Sequence, residues 1–113
     1  MTGRLPSKLL VSALVRRVEQ AGGFAMILSR GEDMGGVVLV HTLEKGRFSG
    51  FFERQVDFEG RAVMVRTGPA DDSDPLAVMD YVERRRRNDP DLWVVELDIL
   101  DAERFAAETI AAG

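Results

Sequence analysis

Cysteine is absent from this chain, and that absence alone removes several classes of function. There is no disulfide framework, no thiolate nucleophile and no thiolate metal site. The composition fits a reducing compartment, so a cytoplasmic location is the expectation. Histidine occurs once, at His41, and one imidazole makes a hydrolase or metal site here unusual. Long apolar runs are also missing. No stretch approaches the ~20 apolar residues that a bilayer-spanning helix needs, and no membrane contact is expected. The run Leu9–Val15 is short, and Arg16-Arg17-Val18-Glu19 follows it without a small-residue cleavage site. It reads as an amphipathic helix and not as a signal peptide. Finally, there is no basic excess. The net charge of −4 argues against a dedicated nucleic-acid binder, though it leaves room for a local basic patch.

What is present describes an ordinary folded domain. A length of 113 residues, with 45% apolar and 30% charged side chains, implies one domain over residues 1–113. A chain of this size can build a core without covalent staples.

Leu10, Leu14, Val18 and Ala21 recur at helical spacing, with Val11 and Val15 widening the stripe, so residues 7–21 read as a helix. Ser7 is placed to cap it, and Gly22-Gly23 to end it. From Phe24 to Thr67 the pattern changes to short apolar runs: Phe24–Ser29, Val37–Leu43, Arg47–Val56 and Ala62–Thr67. Brief glycine-containing breaks between them predict successive hairpins. In the second run both alternating sets are apolar, which predicts an interior strand. In the third, Phe48 and Phe52 share one face and Phe51 takes the other unless Gly50 marks a bulge. Without a bulge, Phe51 is an exposed side chain.

Asp74-Pro75 then opens a second helix, with Val78, Met79 and Val82 as its buried stripe and Leu76 or Tyr81 on the flanks. Asn88-Asp89-Pro90-Asp91 stops it. In the strand that follows, Trp93, Val95, Leu97 and Ile99 share one face, and Glu96 and Asp98 lie on the other. Asp101 caps a short last helix. The resulting order is α-β-β-β-β-α-β-α. The simplest layered solution is an α+β fold with the two longer helices on one face of a twisted, mainly antiparallel sheet.

Three strings then carry a resemblance. They are Val11-Ser12-Ala13-Leu14-Val15-Arg16-Arg17, Arg30-Gly31-Glu32-Asp33-Met34-Gly35-Gly36-Val37-Val38-Leu39-Val40, and Arg84-Arg85-Arg86-Arg87-Asn88-Asp89-Pro90-Asp91-Leu92-Trp93-Val94-Val95-Glu96. Together they resemble a small uncharacterised family of short alphaproteobacterial proteins, a domain of unknown function (family fourteen-ninety-one). The resemblance spans the first helix to the last strand, and Asp-Pro-Asp-Leu-Trp-Val-Val-Glu is its most specific part. It implies a single α+β domain in a bacterial cytoplasm. No activity, cofactor or catalytic residue comes with it.

The strongest local feature is Arg84-Arg85-Arg86-Arg87 at the end of the second helix. At ~100° per residue, four consecutive side chains spread over roughly 300°, so they cannot all meet one ligand. At least one lays its stem on apolar surface. An anionic partner, either an acidic protein face or nucleic-acid phosphates, is the functional reading, with Arg61 or Arg66 as candidate helpers. A solvated helix end balanced by Asp80, Glu83, Asp89 and Asp91 is the plain alternative.

Other groups carry less. Asp71, Asp72, Ser73 and Asp74 lack the ligand spacing of a calcium loop and read as a cap and a polar turn. Gly31-Glu32-Asp33-Met34-Gly35-Gly36 has the glycine density of phosphate loops, but it lacks Gly-Lys-Ser/Thr and precedes a strand, so a hairpin turn is expected. His41 is set in a strand among apolar residues, and Glu53 or Glu96 across the sheet is its candidate acid–base partner, though no spacing requires the pairing. An exposed Phe51 or Phe58 would seed a homodimer or a partner contact. The expectation is therefore a non-enzymatic interaction or accessory protein with an unidentified protein partner. Its candidate surface is Arg84, Arg85, Arg86, Arg87, Phe51 and Phe58. A nucleic-acid-associated module and an enzyme with an unfamiliar acidic site are the alternatives. No cofactor, metal or catalytic residue is assigned.

Overall fold

The computed structural model describes residues 4–70 and 73–112. In chain order the elements are α1 (Ser7–Gln20), β1 (Phe24–Ser29), β2 (Val38–Glu44), β3 (Arg47–Val56), β4 (Ala62–Thr67), α2 (Pro75–Asn88), β5 (Trp93–Asp98) and α3 (Ala102–Ala106). A π-helical turn, Ala107–Ala111, continues α3. The predicted α+β order is the observed one. Among the described residues, no helix is long and apolar enough to cross a membrane.

All five strands join one open sheet in the order β1-β5-β2-β3-β4. Four of the strands follow the expected antiparallel pattern only in part. β2, β3 and β4 form a meander, but β1 and β2 are not a hairpin. β5 lies between them, antiparallel to β1 and parallel to β2. The reason is burial. β5 buries Trp93, Val95 and Leu97 on one face and Val94 on the other, where Glu96 and Asp98 are half-buried, and an interior position covers both.

The same logic corrects the expected layering. The two longer helices take opposite faces. α1 packs Leu10, Val11, Leu14 and Val18 against Val38, Val40, Phe52, Trp93, Val95 and Leu97, and Ala102, Ala106 and Ile110 complete that core. α2 packs Val78 and Tyr81 against Leu39, Phe51, Leu92 and Val94 on the reverse face. Three adjacent strands are apolar on both sides, so one helical layer leaves half of that surface wet. Within α2, Tyr81 takes the buried place expected for Met79, which is exposed.

The Phe48–Phe52 register is settled by a bulge. Thr42 stands opposite Gly50 and Leu43 opposite Phe48, which leaves Ser49 extra. The Thr42 and Ser49 hydroxyls meet at 2.7 Å, and Thr42 Oγ1 donates to the Gly50 carbonyl at 3.0 Å. The extra residue moves Phe48 to the side of Phe51, beneath α2, while Phe52 faces α1. Phe51 is fully buried, with ring centroids of His41, Phe48 and Tyr81 at 4.9, 5.2 and 4.8 Å.

The glycine-rich segment 31–36 is a lock and not a hairpin turn. The Glu32 amide donates to the Asp91 carbonyl at 3.0 Å, and Trp93 Nε1 donates to the Glu32 carbonyl at 2.8 Å. A Cβ on Gly31 or Gly36 would stand 2.2 or 2.3 Å from the Asp91 carbonyl oxygen, so only glycine permits this approach. The same segment starts α1. Amides of Ser7 and Lys8 donate to the carbonyls of Met34 and Asp33 at 3.1 and 2.9 Å. Ser7 Oγ does not cap the helix. It is buried and donates to the Gly36 carbonyl at 2.6 Å. Orphan amides need acceptors, and here a neighbouring backbone supplies them.

Candidate functional site

α2 begins as predicted: Pro75 is its first residue, and Asp74 Oδ1 accepts from the Leu76 amide at 2.8 Å. Its axis carries the four arginines to the far end, where the helix dipole favours cations. They separate there as the helical geometry requires.

Arg85 turns inward. Its Nη1 donates to Glu53 Oε1 at 2.5 Å and to the Tyr81 hydroxyl at 2.7 Å, and Tyr81 passes a hydrogen bond to Thr67 Oγ1 at 2.9 Å. Burial opposes the charge on Arg85, but the bonds to Glu53 and Tyr81 outweigh it and raise the guanidinium pKa further. Arg85 is thus a strut between α2 and β3. Arg84 lies over the Tyr81 ring, 5.9 Å from its centroid.

Arg86 and Arg87 line a cleft of about 460 Å3 with Ser29, Arg30, Glu83, Asp89, Pro90 and Leu92. The third arginine in this cleft comes from the end of β1, not from Arg61 or Arg66. Arg30 is held over the Trp93 indole at 5.4 Å. The sequence places Arg30 more than fifty residues from Arg86, and only the insertion of β5 beside β1 brings them together. Arg61 is tied to Asp57 and Glu59 in its own hairpin, and Arg66 donates to the Ser49 carbonyl at 2.9 Å on the α1 face. Two carboxylates, Glu83 and Asp89, share the cleft. Asp89 Oδ1 is occupied by the Asp91 amide at 3.1 Å. Arg30 is also 3.9 Å from Asp33 Oδ1, whereas Arg86 and Arg87 form no ion pair among the described residues.

The other candidates fall elsewhere. Phe51 is buried and contributes nothing to a surface. Phe58 is fully exposed on the β3–β4 turn, which Asp57 Oδ1 builds by accepting from the amides of Glu59 and Arg61 at 2.9 Å each. The strand registers put Phe58 and the arginine cleft at the same end of the sheet, separated across the strands by roughly 15–20 Å.

His41 and Glu96 do approach, with Nδ1 3.7 Å from Oε1, but Glu53 is engaged by Arg85. None of the three lines the cleft of Arg30, Arg86 and Arg87. His41 Nδ1 has no hydrogen-bond partner, and burial lowers the imidazole pKa. Among the described residues no group of three or more His, Asp or Glu is placed to hold a metal ion. Asp71 and Asp72 lie outside the described residues.

A small α+β domain with helices on both faces of an open mixed sheet, and a basic cleft at one sheet end, is the class defined by this architecture. The chain belongs to the DUF1491 family, described as a protein of unknown function, whose model matches residues 5–107. Solved structures agree. A crystal structure of a DUF1491 family protein from Caulobacter crescentus CB15 has 29% identity and a TM-score of 0.78, over 90% of this chain and 94% of that one. An NMR structure of a DUF1491 family protein from the same organism gives 30% and 0.73, over 92% and 94%. Protein Atu0922 from A. tumefaciens gives 31% and 0.66, over 86% and 87%. No curated protein matches the chain.

Proposed function

We propose that this protein is a non-enzymatic interaction protein that receives an acidic segment of a partner protein in the Arg30–Arg86–Arg87 cleft. The observation that carries the reading is the convergence of three guanidinium groups, from two elements distant in sequence, on one concave surface. Planar guanidinium forks match carboxylates bidentately, which makes arginine suited to acidic side chains. The overall charge of −4 supports a protein partner over a nucleic acid, whose phosphates would meet net repulsion away from the cleft. The reading includes a cytoplasmic location, which the cysteine-free composition supports.

A fluorescent peptide of alternating Glu and apolar residues tests this by anisotropy. Binding by the wild type, with a loss of roughly tenfold or more in Arg30→Ala/Arg86→Ala/Arg87→Ala, is the expected result. Arg84 and Arg85 stay unchanged, so the Arg85 strut is kept. Single-stranded RNA bound more tightly than the peptide, with a steep loss on adding salt, would overturn the protein reading in favour of a nucleic-acid module. Equal affinity in wild type and variant would return the arginines to ordinary solvated surface.

A further inference from the structure

On the α1 face of the sheet a cavity of about 430 Å3 opens between the β2–β3 bulge and the start of α3. Its size falls in the range of small-molecule sites. Three irregularities of the backbone meet around it. Ser49 is the extra residue of the bulge, Asp101 holds a left-handed φ of 59°, and Ala107 begins the π-helical turn. Each departs from regular structure, and such departures gather at functional sites. Phe52, Ile99, Ala102 and Ala107 supply the apolar lining.

The polar lining is held in place. Arg66 Nη2 donates to the Ser49 carbonyl at 2.9 Å, and the guanidinium lies over the Phe52 ring, 5.1 Å from its centroid. A Cβ on Gly50 would stand 2.6 Å from Arg66 Nη1, so the bulge glycine makes the seat for this side chain. Arg104 is the second cation of the lining, and Glu44, Asp101 and Glu103 supply carboxylates. Among the described residues none of these five side chains forms an ion pair. Charges of both signs therefore face one cavity without meeting each other. Thr42 is 2% exposed, and its single hydroxyl proton goes to the Gly50 carbonyl. The proton between the Thr42 and Ser49 hydroxyls is then Ser49's, which leaves the Ser49 oxygen only lone pairs to offer.

We infer that this cavity binds a small zwitterion, an α-amino acid with an apolar side chain. The ligand carboxylate meets the Arg66 fork, whose planar geometry suits it. Its ammonium group is received by Ser49 Oγ and by the carboxylates of Asp101 and Glu103. The apolar side chain lies on Phe52 and Ile99. A simple anion would meet three carboxylates here, and a simple cation two guanidinium groups, so a ligand carrying both charges is the one that fits. The cavity shares no residue with the arginine cleft, and the inference does not rest on that reading.

L-leucine titrated into isotope-labelled protein, followed by amide NMR shifts, tests this. Saturable shifts at Gly50, Ala102 and Ala107 are expected. Isocaproate, which lacks the ammonium group, and isoamylamine, which lacks the carboxylate, should each bind roughly tenfold more weakly or worse. Arg66→Gln keeps a planar group over Phe52 and should weaken leucine binding by roughly tenfold. Asp101→Asn, which the left-handed conformation tolerates, should weaken it as well. Arg16→Gln, on the exposed side of α1, should leave it unchanged. Circular dichroism confirms that each variant is folded. Shifts that do not saturate, or that scatter over the surface, would overturn the proposal. So would isocaproate bound as tightly as leucine, which would make this a plain anion site, or wild-type affinity in both Arg66→Gln and Asp101→Asn.

Discussion

Trp93 Nε1 donates to the Glu32 carbonyl at 2.8 Å, and this bond ties the start of β5 to the loop that starts α1. Two of the three strings that carry the family resemblance therefore form one contact. Trp93 is 1% exposed, so its ring also fills the core under α1. Trp93→Phe removes the donor and part of that volume. It is expected to cost about 2–4 kcal/mol in urea unfolding, with the midpoint lowered and the slope unchanged.

Arg85 and Arg84 are neighbours with opposite expected behaviour. Arg85→Ala leaves a largely buried Glu53 without its cation, and should cost about 1–3 kcal/mol. Arg84→Ala should stay within about 0.5 kcal/mol. A double-mutant cycle of Arg85→Ala with Glu53→Gln is expected to show coupling of about 1 kcal/mol. Zero coupling would mean that the strut is only a surface contact.

Phe51 and Phe58 divide the same way. Phe51→Ala opens a cavity between His41, Phe48 and Tyr81 and should cost about 3–5 kcal/mol. Phe58→Ala removes a side chain that touches mainly solvent, and thermal unfolding should move by about 0.5 kcal/mol or less.

His41 gives the fold a dependence on pH. Burial holds its pKa below the usual 6.5, so the unfolded chain binds this proton at a higher pH than the folded one does. Glu96 is the charged group nearest it, at 3.7 Å, and Phe48 and Phe51 close the other sides. Stability from the neutral imidazole is complete above about 6.5 and declines as pH falls from there toward the folded pKa. Denaturation midpoints measured from pH 7.5 to 5 should fall for the wild type, and fall less for His41→Phe. Parallel curves for the two proteins would remove His41 as the cause.

Much of this protein follows from the sequence by itself. Local spacing is enough for α1, the β2–β3–β4 meander and the Asp74-Pro75 start of α2, because helix caps, turns and periodicity act between near neighbours. The dispersal of the four arginines follows as well, since helical geometry alone forces it. Other features were decided by tertiary packing. β5 enters between β1 and β2 because a strand that buries side chains on both faces needs cover on both sides, and that need has no sequence-local signal. The same demand sends α1 and α2 to opposite faces, buries Phe51, and replaces the Ser7 cap with loop carbonyls. It also makes the cleft: Arg30 joins Arg86 and Arg87 only because β5 inserts beside β1, and no spacing along the chain encodes that distance.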